Sequence, residues 1–432
     1  MLAPFSNQDS TIGTVVSHSL QAAVRRINST HGGLGQKVEL IFRDTGTGPQ
    51  AGARLYGQLI NMPDLVAVLW CGDNGLDQAL PRIKADGRPV MVVFEDLYSS
   101  GRLYPDSSTP GRSVFQLSPP DAYAKGALAA YAHADRGYTS AGLLYDRVLD
   151  PAGIGRTQFE RTFGGAGMTL AAAESFATGD TDLSAQLGRL QAAAPKVVFV
   201  DGYPADVATA VEALAVMGAS YLDQPTAQGP GWHPQVFGSF TAMGDGTWAA
   251  TAGDAAKTGS VTATHLGGLP YLPTFTIRDW MKRYLGAEPT GSEDLPADAL
   301  FSVLQGIKKA GTTDRRHLVG AIEALKGISF ASLPFGFASG HLAHTPDEMV
   351  IMSLEHLEGP VPTDPAYRVG REWQTGQFYG ASAAAPTQLL RPTLAANRRA
   401  QPQAVSQILS QGWGTQCTKE PDGTLSPVCK VH

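Results

Sequence analysis

The sequence predicts an α/β protein made of two doubly wound modules, each around a parallel sheet. Three observations predict it. Short, almost continuously apolar runs, such as 65–69 (LVAVL) and 90–94 (VMVVF), alternate with longer segments of helical periodicity. Strands without a polar face are buried on both sides, as in a parallel sheet covered by helices. The alternation then restarts after residue 120, and a chain of 432 residues is too long for one compact core.

The elements follow in order. Residues 17–28 (SHSLQAAVRRIN) put Leu20, Ala23, Val24 and Ile27 on one helical face, and the run Gly32-Gly33-Leu34-Gly35 ends the helix. Residues 38–42 (VELIF) read as a strand, 51–60 as a helix, 65–69 as a buried strand, 76–84 as a helix and 90–94 as another buried strand. In the second module, helices are expected over 122–135, 156–165, 183–194 and 205–217, with strands at 141–145, 169–175, 197–200 and 235–238. Residues 271–285, 297–310 and 316–325 read as helices, and 335–339 and 349–356 as strands. Beyond residue 381 the chain is rich in Ala, Pro and Gln, with one helical stretch at 403–410. No short-period repeat is present.

Composition removes several classes of function. Apolar residues make up 43% and charged residues 17%, a globular balance. The net charge is −6 and no Lys/Arg block occurs, which argues against nucleic-acid binding by phosphate neutralisation. No apolar run reaches the roughly 18 residues of a membrane span. The opening Met1-Leu2-Ala3-Pro4 has neither a basic nor an apolar leader region, which fits a mature chain and a cytosolic one equally. Cys417 and Cys429 flank a Pro421-Asp422-Gly423 turn in a tail with little core of its own. A disulfide there is expected, and with it an oxidising compartment; the alternative is two surface thiols. Cys71 is then the odd cysteine.

Catalytic signatures are weak. Asp44-Thr45-Gly46-Thr47 has the letters of an aspartic-protease motif, but no second copy exists to share a proton. The glycines 46, 48 and 52 have the wrong spacing for a dinucleotide loop. His341 and His344, with His356, lack a helix to align them, because Gly340 and Pro346 break it; surface histidines in a hairpin are expected, and no metal. No G-x-S-x-G, P-loop or HExxH motif occurs. No enzyme activity and no cofactor are expected.

Across residues 3–356 the chain resembles the type I periplasmic solute-binding proteins of ABC transporters, in particular the branched-chain amino-acid (Leu-Ile-Val-binding-like) receptors. Ala3-Pro4-Phe5-Ser6 with Gly13 resembles the family's opening, and Ile27-Asn28 followed by Gly32-Gly33 and Gly35 its first turn. Asp44 with Pro49-Gln50-Ala51, Val114-Phe115-Gln116 with Ser118-Pro119-Pro120-Asp121, Asp182-Leu183-Ser184-Ala185-Gln186-Leu187, and Phe335-Gly336 with Ser339-Gly340 continue the likeness. The resemblance implies two Rossmann-like lobes joined by three crossovers, with the ligand in the cleft between them and capture by hinge closure. It implies lobe 1 over 1–118 plus 249–330, lobe 2 over 119–248 plus 331–380, and a C-terminal extension over 381–432.

Site residues carry over by position. Ser6 belongs to the opening motif. The loop Trp70-Cys71-Gly72-Asp73-Asn74 matches a ligand-carboxylate loop of the relatives, where Gly72 replaces a serine and leaves backbone N–H groups and Asn74 as donors. The relatives pair the cysteine matching Cys71 with one that is Thr47 here, so Cys71 is an unpaired thiol, read best as a small buried hydrophobe. Trp70 either stacks on ligand or packs in the core. The loop with Phe94, Glu95, Asp96 and Tyr98 matches the segment that grips the amino-acid head group, and here it is acidic. With Asp73 it favours a cation over a carboxylate, unless Glu95 and Asp96 only cap or face solvent. In lobe 2, Tyr145 and Arg147 end a strand; Arg147 either takes a ligand carboxylate or pairs with Asp146 or Asp150. Tyr203 matches a cleft aromatic, and Phe240 and Thr241 match a segment whose acidic residue is missing here. The implied function is capture of an amino acid or related amine or amide and delivery to an ABC permease, outside the cytoplasm, with a membrane tether lying before the given sequence. A ligand-sensing domain of a receptor is the alternative.

Overall fold

The computed structural model describes residues 1–6, 10–29, 35–46, 50–72, 75–95, 113–151, 153–221, 230–243, 247–256, 260–265, 276–286, 293–328, 335–337, 341–344, 349–354 and 377–378. They fall into two compact units. The described residues of Met1–Pro120 and Leu272–His344 form one, and those of Asp121–Tyr271 and Thr345–Val405 the other. In chain order the first stretch holds β1 (Leu2–Ala3), α1 (Ser10–Ser29), β2 (Arg43–Asp44), α2 (Ala51–Leu59), β3 (Val68–Cys71), α3 (Leu76–Asp86), β4 (Val90–Val93) and β5 (Val114–Gln116). Then come α4 (Asp121–Ala130), β6 (Ser140–Asp146), α5 (Ile154–Gly165), β7 (Thr169–Phe176), α6 (Ser184–Ala193), β8 (Val197–Asp201), α7 (Pro204–Val216) and β9 (Gln235–Gly238). The remainder holds α8 (Phe240–Met243), α9 (Thr247–Ala252), β10 (Ser260–His265), α10 (Thr276–Leu285), α11 (Asp294–Ala310), α12 (Arg315–Glu323), β11 (Met349–Leu354) and β12 (Gln377–Phe378).

The first unit has a five-stranded parallel sheet in the order β2-β1-β3-β4-β5. Every residue of β3 and β4 is buried, as apolar runs covered on both faces require. Leu69, Cys71, Met91 and Val93 meet Leu20, Ala23 and Ile27 of α1 and Leu300 and Val303 of α11 in one core. The second unit has a seven-stranded sheet, β12-β11-β10-β9-β8-β6-β7, parallel from β7 to β10 and antiparallel through β11 and β12. Its core gathers Leu143, Val197, Phe199 and Phe237 with Phe159 and Phe163 of α5, whose rings stack at 4.1 Å.

Both sheets are doubly wound as expected, and the differences are local. Helix α1 begins at Ser10, seven residues before the expected start, in a stretch of glycine and β-branched residues with low helix propensity. Packing overrides that propensity: a Cβ on Gly13 would lie 2.0 Å from the carbonyl oxygen of Pro4, so only glycine lets this turn approach. The strand expected at 38–42 is displaced, and ladder pairing occurs at Arg43 and Asp44. Asn28 takes the place of a partner strand there: its side chain accepts from Val38 N–H at 2.8 Å and donates to Val38 C=O at 2.9 Å. The helix expected over 122–135 ends at Ala130 and continues as a π-helical turn, Tyr131–Asp135. Of the strand expected at 335–339, Phe335 makes an isolated antiparallel bridge with Ile328. Strands β1, β5, β10 and β12 are not among those expected from the sequence. The helix at 403–410 and the Cys417–Cys429 pair lie outside the described residues.

Candidate ligand-binding site

In a parallel sheet every strand delivers its carboxyl end to the same edge, and the loops there carry function. In the first unit that edge holds Ser6 after β1, Gly46 after β2, Gly72 after β3, Phe94 and Glu95 after β4, and Ser118 after β5. Asp44 organises its beginning. Its carboxylate accepts from the Ser6 hydroxyl at 2.6 Å and from the N–H groups of Phe5 and Gly46 at 2.9 Å. These donors, the Ser6 hydroxyl foremost, hold the Asp44 pKa below the ordinary carboxylate value. The Ser6 proton is therefore committed to Asp44, and its oxygen remains an acceptor.

Trp70 and Cys71 are the last two residues of β3 before this edge. Both are fully buried in β3; the Trp70 ring lies against Tyr56 at 6.1 Å, and Cys71 belongs to the core of the first unit. Core packing is the arrangement found for Trp70, and Cys71, the last residue of the ladder opposite Val93, is buried in the core of the first unit. Gly72 has φ +74, a left-handed conformation that suits glycine, and its N–H is used within the sheet, donating to Val93 C=O at 3.2 Å. Asp73, Asn74, Asp96 and Tyr98 lie outside the described residues.

Phe94 and Glu95 are half-buried at the edge. Phe94 has φ +57, which a bulky residue adopts at a cost of about 1–3 kcal/mol. Its N–H donates to the Ser118 hydroxyl oxygen at 2.6 Å, and Gln116 donates from Nε2 to the Ser118 carbonyl at 3.0 Å. Backbone strain of this kind concentrates at functional edges. Nothing in the sequence around Phe94 signals it.

The corresponding edge of the second unit holds Tyr145, Asp146 and Arg147 at the end of β6, Asp201, Gly202 and Tyr203 at the end of β8, and Ser239 after β9. Arg147 is exposed, and no ion pair joins it to a described residue. The buried Asp146 instead takes the Thr178 hydroxyl and the Val148 N–H. Tyr145 and Glu160 both engage Arg156, Glu160 at 2.8 Å, and push its pKa upward, Glu160 foremost. Tyr203 is half-buried and caps α7. Its N–H donates to Asp206 Oδ2 at 2.7 Å, which fixes its backbone at the edge. Burial raises the Asp206 pKa, while the N–H groups of Tyr203 and Gly179 pull against it. Phe240 and Thr241 open α8 directly after β9 and Ser239.

One charged cluster at this edge escapes sequence reasoning. The Lys125 ammonium, fully buried on α4, lies 2.5 Å from Asp121 and 3.2 Å from Asp201. Burial alone lowers its pKa, but the two carboxylates outweigh that and the net shift is upward, so the charge stays. Asp201 moves up through burial, with Lys125 opposing. The Asp121–Lys125 spacing of one helical turn was visible in the sequence; the approach of Asp201, 76 residues on, was not.

Both units thus end their strands in edges of polar and aromatic residues, the first with a strained backbone at Phe94. The Periplasmic binding protein family model matches residues 1–355. The chain belongs to the periplasmic binding protein family. Solved structures agree in fold. A periplasmic binding protein type 1 from Bordetella pertussis Tohama I superposes with a TM-score of 0.70 at 17% identity, covering 84% of this chain and 98% of that one. The leucine binding protein LivK from Thermotoga maritima gives 0.66 at 19% identity, covering 83% and 97%. A solute binding protein of an ABC transporter from Rhodopseudomonas palustris BisB5, in complex with 3,4-dihydroxybenzoic acid, gives 0.64 at 19%, covering 83% and 93%. A search of curated protein sequences returns no match. The resemblance to type I binding proteins and the α/β fold expected from the sequence are both borne out. No helix among the described residues is long and apolar enough to cross a membrane.

Proposed function

We propose that this periplasmic binding protein is the extracytoplasmic solute-binding component of an ABC transporter. It captures an amino acid or a related amine- or amide-bearing compound by closure of its two units and delivers it to the permease, held near the membrane by a tether outside the given sequence. The family match over residues 1–355 carries the binding role. The amine preference draws on Glu95 at the first edge and on the leucine-binding relative. Tyr203 is the contact we assign to the second edge, since its backbone is fixed while its side chain is half-exposed. A second ligand class has its own support. Arg147 is an exposed guanidinium outside any ion pair with a described residue, suited to a carboxylate, and the Rhodopseudomonas palustris neighbour holds an aromatic acid. Isothermal titration of ligand-stripped protein with leucine, spermidine and 3,4-dihydroxybenzoate separates the two. Binding of leucine or spermidine, weakened about tenfold or more by Tyr203→Ala, supports the first class. Binding of the benzoate alone, abolished by Arg147→Ala, replaces it with the second.

A further inference from the structure

Residues 341–344 end the second stretch of the first unit and run beside β5, the strand that leads to Ser118 and, at Pro120, out of that unit. Gln116 N–H donates to His341 C=O at 2.9 Å and Ala343 N–H donates to Gln116 C=O at 3.0 Å, in a parallel bridge of Gln116 with Leu342. After His344 the chain again leaves the unit. Two departures are therefore zipped together at their roots, and His341 sits in the zip. Against the surface position expected for His341 and His344, both are buried; the His341 ring stacks on Phe115 at 4.5 Å, and its backbone is left-handed at φ +67. Both ring nitrogens face acceptors: Nδ1 lies 2.9 Å from Val114 C=O and Nε2 lies 3.1 Å from Glu323 Oε1. A neutral imidazole carries one N–H and serves one of these acceptors; the imidazolium serves both. The charged group facing the ring from α12 is Glu323. Among the described residues β5 faces it with a carbonyl and the Phe115 ring, Phe337 offers a carbonyl to its backbone N–H, and His344 packs beside Phe335 three residues on.

We propose that His341 is a positioning residue, a protonation-dependent clasp that joins α12, β5 and the returning segment 341–344 and so sets the Ser118–Phe94 contact at the binding edge. His341 touches no ligand. It acts through β5: Leu117 N–H donates to Val92 C=O at 2.9 Å, Ser118 follows, and Ser118 receives the Phe94 N–H. With the ring neutral one of the two ring bonds is lost, the pairing of 341–344 with β5 loosens, and Phe94 loses its fixed support. Only the consequence for Phe94 rests on the binding role proposed above; the clasp does not, and its test uses no ligand.

Amide hydrogen exchange reports the clasp directly. Between about pH 5.5 and about pH 8, protection factors of the Gln116, Ala343 and Phe94 amides should fall about tenfold in the wild type. In Glu323→Gln they should stay level, because the amide can donate to a neutral Nε2 and needs no imidazolium. His341→Asn, which tolerates the left-handed backbone, should show low protection at both pH values. Wild-type protection that does not change with pH overturns the proposal, as does an equal fall in Glu323→Gln. A fall shared by the β6–β8 ladder of the other unit means general opening and overturns it too. If His341→Asn does not fold, the Glu323→Gln comparison still decides.

Discussion

Ser118 gives its hydroxyl oxygen to the backbone of Phe94, and that contact supports a bulky residue in a conformation most side chains avoid. Ser118→Ala should cost about 1–2 kcal/mol in urea unfolding, because it leaves a partly buried N–H without its acceptor. Adding Phe94→Gly relieves the strain but removes a ring packed against the core, so the double variant should be no more stable than Ser118→Ala. Lys125 makes a larger claim. Lys125→Met strands Asp121 and Asp201 beside each other and should cost about 3 kcal/mol at neutral pH, the lower end for a buried pair because both carboxylates keep some exposure to water. The pH dependence has a definite sign. The folded pKa of Asp201 is raised by burial, so protonation of this group favours the folded state. Without Lys125 that preference grows. The penalty of the variant should therefore be largest near neutrality and shrink as pH falls through the Asp201 titration, in unfolding curves recorded at a series of pH values. The individual roles of these residues were hardly legible in the sequence. Tyr203 could be placed because it follows a clear apolar strand. Phe94's strain, Ser118's support and Lys125's two carboxylates arise from residues brought together by folding, and no local pattern encodes them.

At the scale of elements, apolar periodicity located most of both sheets. Residues 235–238 form β9 as expected, and β4 and β8 differ from expectation by one residue at an end. The misses have separate physical causes. Gly13 sits in a stretch that propensity argues against, and its close contact with Pro4 makes it helical. Gly13→Ala should therefore destabilise by about 3 kcal/mol, where an ordinary Gly→Ala in a helix would help. Residues 38–42 have a strand's composition, but the Asn28 side chain occupies the Val38 backbone, and the ladder forms just beyond them, at Arg43 and Asp44. The three-residue β5 and the two-residue β1 are too short to carry a periodic signal; neighbouring strands make them. For the tail, we propose the Cys417–Cys429 disulfide. Intact mass after alkylation without reductant should show no label on either cysteine, and two labels there would contradict it.

At the scale of the molecule, two α/β units ending their strands in polar and aromatic edges fit a protein that holds a solute. The order of motifs along the chain made the family legible, because a fold's turns and strand ends recur at fixed places even when side chains change. The ligand was less legible, since the resemblance breaks down in the loops it would be carried over from, at Gly72, which replaces a serine, and at the acidic Glu95. Binding to the folded state raises stability by mass action, by about 2.7 kcal/mol at a hundredfold excess over the dissociation constant. The most direct test is thus a thermal-shift screen of protein shown by native mass spectrometry to carry no ligand, against amino acids, polyamines, amides and aromatic acids. The account predicts that one chemical class raises the melting temperature by several degrees, on the order of 2–4 °C per kcal/mol, and that Tyr203→Ala removes the rise. A melting temperature that no class moves would contradict a solute-binding role.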